Sequence, residues 1–267
     1  MRFADKIAVI TGAGSGIGRA TASRLVDEGA RVVLGGRSQE RLDAVVADLG
    51  AGAIAVVGDV TDQHHIDELI DTAARSFGGL DVVIANAGVS SSGAIDALDD
   101  DEWHSTLDVN LHGPMRLARG AFPALRARGG GAIVLVASVN GIVNTPNSAA
   151  YDISKAALIS MARALAIDGG QHNIRANALC PGWVATPMAD RDMDLVAQRL
   201  GISRTVAYLR ATQHTPMRRI ATPGEIASCC AFLASDDASF VTGTTLVADG
   251  GGLAVDVTGL TFGDASP

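Results

Sequence analysis

Short apolar runs rich in β-branched residues alternate with segments of helical periodicity along almost the whole chain. Continuous apolar runs are typical of strands buried on both faces of a parallel sheet, and the segments between them are long enough for helical crossovers. We expect strands over residues 7–11, 31–34, 53–58, 82–85, 132–137, 175–179 and 245–247. We expect helices over residues 17–28, 39–49, 63–77, 101–128, 151–169 and 223–234. The alternation therefore predicts one parallel sheet covered by helices on both faces.

The chain is long and apolar enough to form this sheet as one domain. It has 267 residues, of which 48% are hydrophobic, and no linker divides it. We therefore expect a single-domain α/β fold of the doubly wound, Rossmann type over residues 1–252, followed by a tail over residues 253–267. The segment 187–215 carries no strand, and we expect it to be a helical lid or a mobile loop.

Composition and simple motifs exclude several classes of protein. The net charge of −8 argues against a nucleic-acid binder. Cys180, Cys229 and Cys230 show no C-x-x-C spacing, and there is no H-E-x-x-H motif, so we expect no metal site and a reducing, cytoplasmic location. No apolar run approaches about 18 residues and no charged and apolar leader precedes the first strand, so we expect neither a membrane span nor a signal peptide.

A glycine-rich turn follows the first predicted strand and opens the first predicted helix. Residues 11–18 read T-G-A-G-S-G-I-G, which places Gly12, Gly16 and Gly18 at G-x-x-x-G-x-G spacing. Glycines let a backbone turn sharply and let a pyrophosphate approach the N-terminus of a helix. The turn therefore predicts a nucleotide site, in which Ser15 and Ile17 are further contact candidates.

The ends of the next three strands carry candidates for the rest of a dinucleotide. Arg37 follows the second strand, where an acidic residue would bind the ribose of NAD and an arginine can pair with the 2′-phosphate of NADP. This residue favours NADP, and NAD stays open. Further candidates follow the third and fourth strands: Asp59, Val60, Asn86, Ala87 and Gly88.

A tyrosine and a lysine stand four residues apart in the fifth predicted helix. The chain has only two tyrosines and two lysines, so this pairing is notable. Because Lys155 follows Tyr151 by four residues, the two side chains share one helix face. A cation held near a phenol favours the phenolate and lowers its pKa, so we expect Tyr151 to serve as a general acid and base. Ser138 ends the strand before this helix, and its hydroxyl is placed to donate to the same substrate oxygen. No G-x-S-x-G elbow surrounds Ser138, which argues against a hydrolase.

Together these motifs resemble those of the short-chain dehydrogenases/reductases over residues 4–252. The resemblance also covers Asn110 within V-N-L, a Pro-Gly pair at 181–182 and D-G-G at 249–251. It implies a catalytic tetrad of Asn110, Ser138, Tyr151 and Lys155. In this tetrad Lys155 also binds the ribose with Tyr151, and Asn110 holds a water in a proton relay. The nicotinamide end would be bound by Pro181, Gly182, Val184 and Thr186. The resemblance also implies a homotetramer.

Two positions depart from the family pattern. Ala85 replaces the first asparagine of the usual Asn-Asn-Ala-Gly run. Ser15 stands where members that prefer NADP often carry a basic residue, so Arg37 alone favours the phosphate.

The expected substrate pocket is largely apolar and has no arginine or lysine clamp. Its candidate residues are Ser138, Asn140, Ile142, Tyr151, Trp183 and Met188. The reaction we expect is hydride transfer between NAD(P)(H) and a ketone or secondary alcohol, with neutral ketones, diols and cyclic alcohols favoured. A 3-oxoacyl-thioester reductase is an alternative, because Arg191, Arg199 and Arg204 near the lid suit an acidic carrier protein. A catalytically silent nucleotide-binding regulator is a second alternative.

Overall fold

A seven-stranded sheet forms the centre of the protein, and the computed structural model describes residues 1–259. The strands are β1 (Ile7–Thr11), β2 (Arg31–Gly36), β3 (Ala53–Val57), β4 (Val82–Ala85), β5 (Gly131–Val136), β6 (Ile174–Pro181) and β7 (Thr245–Ala248). Their order is β3-β2-β1-β4-β5-β6-β7, and every neighbouring pair is parallel. The predicted doubly wound sheet is confirmed. Its order reverses between β1 and β4, and such a switch point opens a crevice at the carboxyl ends of the strands.

Helices cover both faces of the sheet. They are α1 (Gly16–Asp27), α2 (Gln39–Leu49), α3 (Gln63–Phe77), α4 (Asp100–Leu107), α5 (Gly113–Ala127), α6 (Ala149–Gly170), α7 (Pro187–Leu200), α8 (Arg204–Thr212) and α9 (Pro223–Ala234). Successive side chains of a strand point to opposite faces. In β1, Val9 packs in one core with α3, α5 and α6, whereas Ile10 packs in the other with α1, α2 and α9. The sheet is therefore buried on both sides, as its continuous apolar strands require.

The helix expected over residues 101–128 is not regular. A π-helical turn, Asp108–His112, separates α4 from α5, so the expectation of one uninterrupted helix is wrong. Pro114 follows this turn and lacks the N–H group that a regular α-helix would use there. In the wide turn the N–H of Gly113 donates to the carbonyl oxygen of Asp108, and the turn contains Asn110, which is fully buried.

The segment 187–215 forms two helices rather than an irregular loop. Thr186 caps α7 by accepting a hydrogen bond from the N–H of Ala189, and Ser203 caps α8 in the same way. Met193, Ala197 and Ala207 pack together in a small core of their own. We call α7 and α8 the lid, because they have little shared core with the sheet.

Between β7 and residue 259 the chain makes a short 3-10 turn at Gly252–Ala254. Residues 260–267, the larger part of the expected tail, lie outside the described residues. Within residues 1–259 no helix combines the length and the apolar character needed to cross a membrane.

Candidate active site

The turn after β1 leaves room that side chains would otherwise fill. Gly12 and Gly16 have φ angles of +65° and +55°, which side chains disfavour. A Cβ on Gly12 would lie 2.9 Å from the Cα of Ala87, and a Cβ on Gly18 would lie 2.4 Å from the carbonyl oxygen of Gly12. Ser15 precedes α1 without a side-chain capping bond. The first backbone N–H groups of α1 therefore receive no cap from the Ser15 side chain. The glycine turn and these N–H groups form a cradle that fits the pyrophosphate of a dinucleotide.

Asn86 ties the glycine turn to β4. Its Nδ2 donates to the carbonyl oxygens of Thr11 (2.9 Å) and Gly12 (3.2 Å). In return, the hydroxyl of Thr11 accepts hydrogen bonds from the backbone N–H groups of Asn86 and Ala87. Ala85, at the place of the first asparagine in the family pattern, is buried in the sheet. One asparagine is therefore sufficient to hold the turn.

The two residues expected around the adenosine lie side by side. Nη1 of Arg37 is 3.8 Å from Oδ2 of Asp59, and the two side chains are 71% and 37% exposed. Asp59 also accepts a hydrogen bond from the N–H of Thr61. Val60 is buried against Gly113 at the start of α5. Because exposed ion pairs are weak, a ligand phosphate can compete with Asp59 for Arg37.

Three residues of the expected tetrad meet at the carboxyl ends of β4 and β5. Ser138 follows β5, and its side chain lies close enough to the phenol of Tyr151 to act on the pKa of that phenol. The Nζ atom of Lys155 lies 5.6 Å from the centroid of the Tyr151 ring and donates to the carbonyl oxygen of Val136 at 3.0 Å. Lys155 is 4% exposed, so its ammonium group sits beneath the phenol and out of solvent.

Burial, rather than the neighbouring cation, dominates the titration of this pair. It raises the pKa of Tyr151 to about 12, although the nearby side chain of Ser138 acts in the opposite direction. Burial also lowers the pKa of Lys155 to about 8. The expected lowering of the Tyr151 pKa by Lys155 is therefore wrong for this structure. The ammonium loses its hydration and points at the carbonyl of Val136, which weakens its influence on the ring.

Asn110 connects the π-helical turn to the chain that leaves β4. Its Oδ1 accepts from the N–H of Val89 at 2.8 Å, while its Nδ2 donates to the carbonyl oxygen of Val89 and to the hydroxyl of Ser154. Gly88 lies between Asn110 and Lys155. A Cβ on Gly88 would lie 3.3 Å from Oδ1 of Asn110 and 3.4 Å from Nζ of Lys155. The structure thus brings all four members of the expected tetrad to one place.

The predicted nicotinamide contacts form the opposite wall of the crevice. Pro181 ends β6, and Gly182 donates a backbone hydrogen bond to the last residue of β7 at 3.1 Å. Val184 is buried beside them. A Cβ on Gly16 would lie 3.1 Å from Cγ2 of Thr186, so the start of the lid touches the glycine turn.

An aromatic pair stands where the chain enters the lid. Trp183 and Tyr208 are in edge-to-face contact, with ring centroids 6.4 Å apart. Trp183 is 40% exposed and Ile142, across the opening, is 45% exposed, while Met188 is half-buried. Exposed apolar side chains at the mouth of a crevice are typical of a small-molecule site.

The side-chain amide of Asn140, the remaining pocket candidate, forms its hydrogen bonds with residues close to it in the chain. Its Nδ2 donates to the hydroxyl of Thr145 (3.0 Å) and to the carboxylate of Asp152 (2.7 Å). Its backbone N–H donates to the hydroxyl of Ser138 at 3.1 Å. Asn140 therefore fixes the loop that carries Ile142 and helps to orient Ser138.

A cavity of about 770 Å³ lies beside the tetrad rather than at it. It shares Val139, Gly182 and Trp183 with the surroundings of the crevice, and its far side is formed by Met217 and Leu253. None of the four tetrad residues lines it. We therefore assign the chemistry to the crevice, where the polar groups converge.

Sequence reasoning missed three polar residues at this site. The hydroxyl of Ser90 donates to Oδ1 of Asp192 on the lid at 3.1 Å. A signal for Asp192 was present, because it follows Met188 by four residues and so shares its helix face. Arg41 on α2 lies against Gly14, where a Cβ would be 3.1 Å from the arginine Cβ.

Comparisons with known proteins agree with this geometry. The family model described as enoyl-(acyl carrier protein) reductase, a model of short-chain dehydrogenases/reductases, matches residues 12–252. Cis-4-hydroxycyclohexanecarboxylate dehydrogenase of Sinomonas cyclohexanicum is 40% identical over 95% of this chain and 98% of its own. Meso-2,3-butanediol dehydrogenase of Serratia marcescens is 36% identical over 96% of this chain and 98% of its own. The crystal structure of levodione reductase matches with a TM-score of 0.91 and 33% identity, covering 96% of this chain and 100% of that one.

The chain therefore belongs to the short-chain dehydrogenase/reductase family. It is an NAD(P)-dependent oxidoreductase that acts on CH–OH groups and transfers a hydride between the cofactor and a ketone or secondary alcohol.

Proposed function

We propose that this enzyme interconverts neutral ketones and secondary alcohols, with NADP(H) preferred over NAD(H), as a cytoplasmic homotetramer. The observation that carries the proposal is the meeting of Ser138, Tyr151 and Lys155 at the carboxyl ends of β4 and β5, beside a glycine cradle. The three free cysteines, two of them buried, suit a reducing compartment.

In the proposed mechanism the protein handles the proton and the substrate oxygen. When bound, the dinucleotide supplies or accepts the hydride at its nicotinamide ring. During reduction Tyr151 gives its phenolic proton to the carbonyl oxygen, and during oxidation it takes the proton back. Ser138 donates a hydrogen bond to the same oxygen, which stabilises its developing charge. Lys155 and Tyr151 also hold the ribose, and Asn110 orders the path that returns the proton to solvent.

The cofactor preference rests on Arg37. Its guanidinium group is largely exposed at the end of β2, and in residues 1–259 its ion-pair partner is the 3.8 Å contact with Asp59. A 2′-phosphate offers a doubly charged acceptor in place of that contact. Arg41, in the first turn of α2 and beside the glycine turn, adds a second positive charge nearby.

The substrate preference rests on the walls of the crevice. Trp183, Ile142 and Met188 are apolar, and one named relative acts on a neutral diol, a butanediol, whereas another acts on a cyclic alcohol that carries a carboxylate. The carrier-protein alternative draws less support, because Arg204 is bound to Asp194 at 2.6 Å and lies 3.4 Å from Asp190. The lid face is therefore neutralised at Arg204, whereas Arg191 and Arg199 are exposed and have no ion pair within residues 1–259.

A panel of ketones and alcohols tests the proposal directly. Each compound is supplied with NADPH or NADP⁺, and with NADH or NAD⁺, and turnover is followed by nicotinamide absorbance. We expect neutral cyclic and vicinally substituted compounds to give the highest kcat/KM, and acyl thioesters the lowest. Fastest turnover of a 3-oxoacyl thioester would show that the alternative is right.

A further inference from the structure

The lid brings one unpaired carboxylate to the active site. Of the three aspartates on α7, Asp190 accepts from the hydroxyl of Tyr208 at 3.0 Å and Asp194 is held by both Nε and Nη2 of Arg204. Asp192 pairs with no arginine or lysine in residues 1–259, and the hydrogen bond that it accepts there comes from Ser90. Its carboxylate is half-buried, and burial raises its pKa.

The contact with Ser90 places this carboxylate beside the tetrad. Ser90 is two residues past Gly88, and the intervening Val89 is fixed by two hydrogen bonds with Asn110. The chain that carries Ser90 is therefore rigid where it passes the site. Asp192 also raises the pKa of Tyr151 more than any other charged group does, which agrees with a position close to the phenol.

The chemistry of Asp192 differs from that of the walls around it. An ionised carboxylate is an acceptor only, with two oxygens and about four lone-pair positions. Ser90 occupies one position on Oδ1, and within the described part of the chain Oδ2 receives no hydrogen bond. The neighbouring walls are apolar, so a donor on the substrate is the group that suits the remaining oxygen. A negatively charged substituent beside Asp192 is repelled by its carboxylate.

We propose that Asp192 selects the substrate by accepting a hydrogen bond from a second hydroxyl next to the reacting carbon, and that it excludes substrates with a carboxylate there. The preferred substrates are then vicinal diols and the corresponding α-hydroxy ketones. This inference rests on the proposed ketone and alcohol oxidoreductase activity and narrows its substrate class.

Three alcohols that differ in one substituent test the assignment. They are cyclohexane-1,2-diol, cyclohexanol and 2-hydroxycyclohexanecarboxylate. For the wild type we expect kcat/KM for the diol to exceed that for cyclohexanol by about tenfold or more, the range of a hydrogen bond to a charged group. In Asp192→Asn and Asp192→Ala this ratio should fall about tenfold, while kcat/KM for the carboxylate should rise.

Asp194→Asn is the matched control, because it removes the same charge from the same helix. We expect it to leave the ratios between the three substrates unchanged. A wild type without preference for the diol, unchanged ratios in both Asp192 variants, or an equal loss on all three alcohols would each overturn the proposal, the last because a purely structural role has that effect. If the wild type oxidises none of the three and none of the wider panel, the proposed function itself fails instead.

Discussion

At the scale of single residues, burial changes the acid–base properties of the tetrad. Lys155 has a pKa of about 8 in the folded chain, below the usual 10.5 of a lysine, because folding removes its ammonium from water. The folded state therefore binds fewer protons than the unfolded state at pH values between these two. The free energy of unfolding must rise with pH in that window.

This linkage is measurable with Lys155→Met, which keeps the length of the side chain and removes the titration. Between pH 8 and 10 we expect the wild type to gain roughly 2 kcal/mol of stability relative to the variant. The upper limit avoids the titration of Tyr151, whose raised pKa acts in the opposite direction above pH 10. Urea unfolding at several pH values gives the two curves, and parallel curves would contradict the burial argument.

A second prediction at this scale concerns the cofactor. Arg37→Asp should reverse the charge that meets the 2′-phosphate and lower the NADPH-to-NADH ratio of kcat/KM by about tenfold or more. Arg75→Asp is the control, because Arg75 is 69% exposed and also lies 3.8 Å from an aspartate, but on α3. An unchanged preference in Arg37→Asp would remove Arg37 from the binding site.

Residue identities at the site were predictable from the sequence, but their environment was not. The spacing of Tyr151 and Lys155 and the position of Ser138 at the end of a strand predicted a cluster, and the structure has that cluster. The sign of the Tyr151 pKa shift depends on how deeply the pair is buried. Asp192 reaches the site only through the packing of the lid, which no local pattern specifies.

At the scale of elements, the sheet was more predictable than its interruptions. Five of the seven expected strands begin at the residue where the structure begins them, because buried parallel strands read as continuous apolar runs. The sequence pattern did not predict the π-helical turn, because one extra residue in a turn hardly changes the helical period. That turn orients Asn110, which makes it the element where a small change should have a large effect.

Asn110→Ala tests the turn. It removes three hydrogen bonds and leaves the N–H and carbonyl groups of Val89 without these partners, so we expect a loss of about 2 kcal/mol or more in the free energy of unfolding. Turnover should fall as well. Asn144→Ala, at an exposed position, should change the stability by less than about 0.5 kcal/mol in the same denaturation experiment. Equal effects of the two variants would contradict the role of the turn.

At the scale of the whole molecule, several apolar side chains remain uncovered on α6 and on the edge strand β7. Ile167 on α6 is 79% exposed, Ile153 on the same helix is 43% exposed, and Val247 on the edge strand β7 is 38% exposed. Burial of such side chains against another copy gains free energy in proportion to the area removed from water. The proposed homotetramer places them at its interfaces.

Light scattering provides the test. We expect the wild type to have the mass of four chains and Ile167→Asp to shift toward smaller species, because the variant would bury an unpaired charge in the interface. Ile95→Asp, which changes an isoleucine that is 72% exposed in a loop before α4, should keep the wild-type mass. A wild type with the mass of one chain would refute the tetramer.

The central claim is that Tyr151 exchanges the proton with the substrate oxygen, and the chain's two tyrosines allow a matched comparison. Single-turnover reduction of a ketone is measured for Tyr151→Phe and Tyr208→Phe, with cofactor binding followed separately by fluorescence. We expect Tyr151→Phe to bind the cofactor and to lose at least about a hundredfold in rate, and Tyr208→Phe to lose far less. Reduction by Tyr151→Phe at a rate close to that of the wild type would contradict the account.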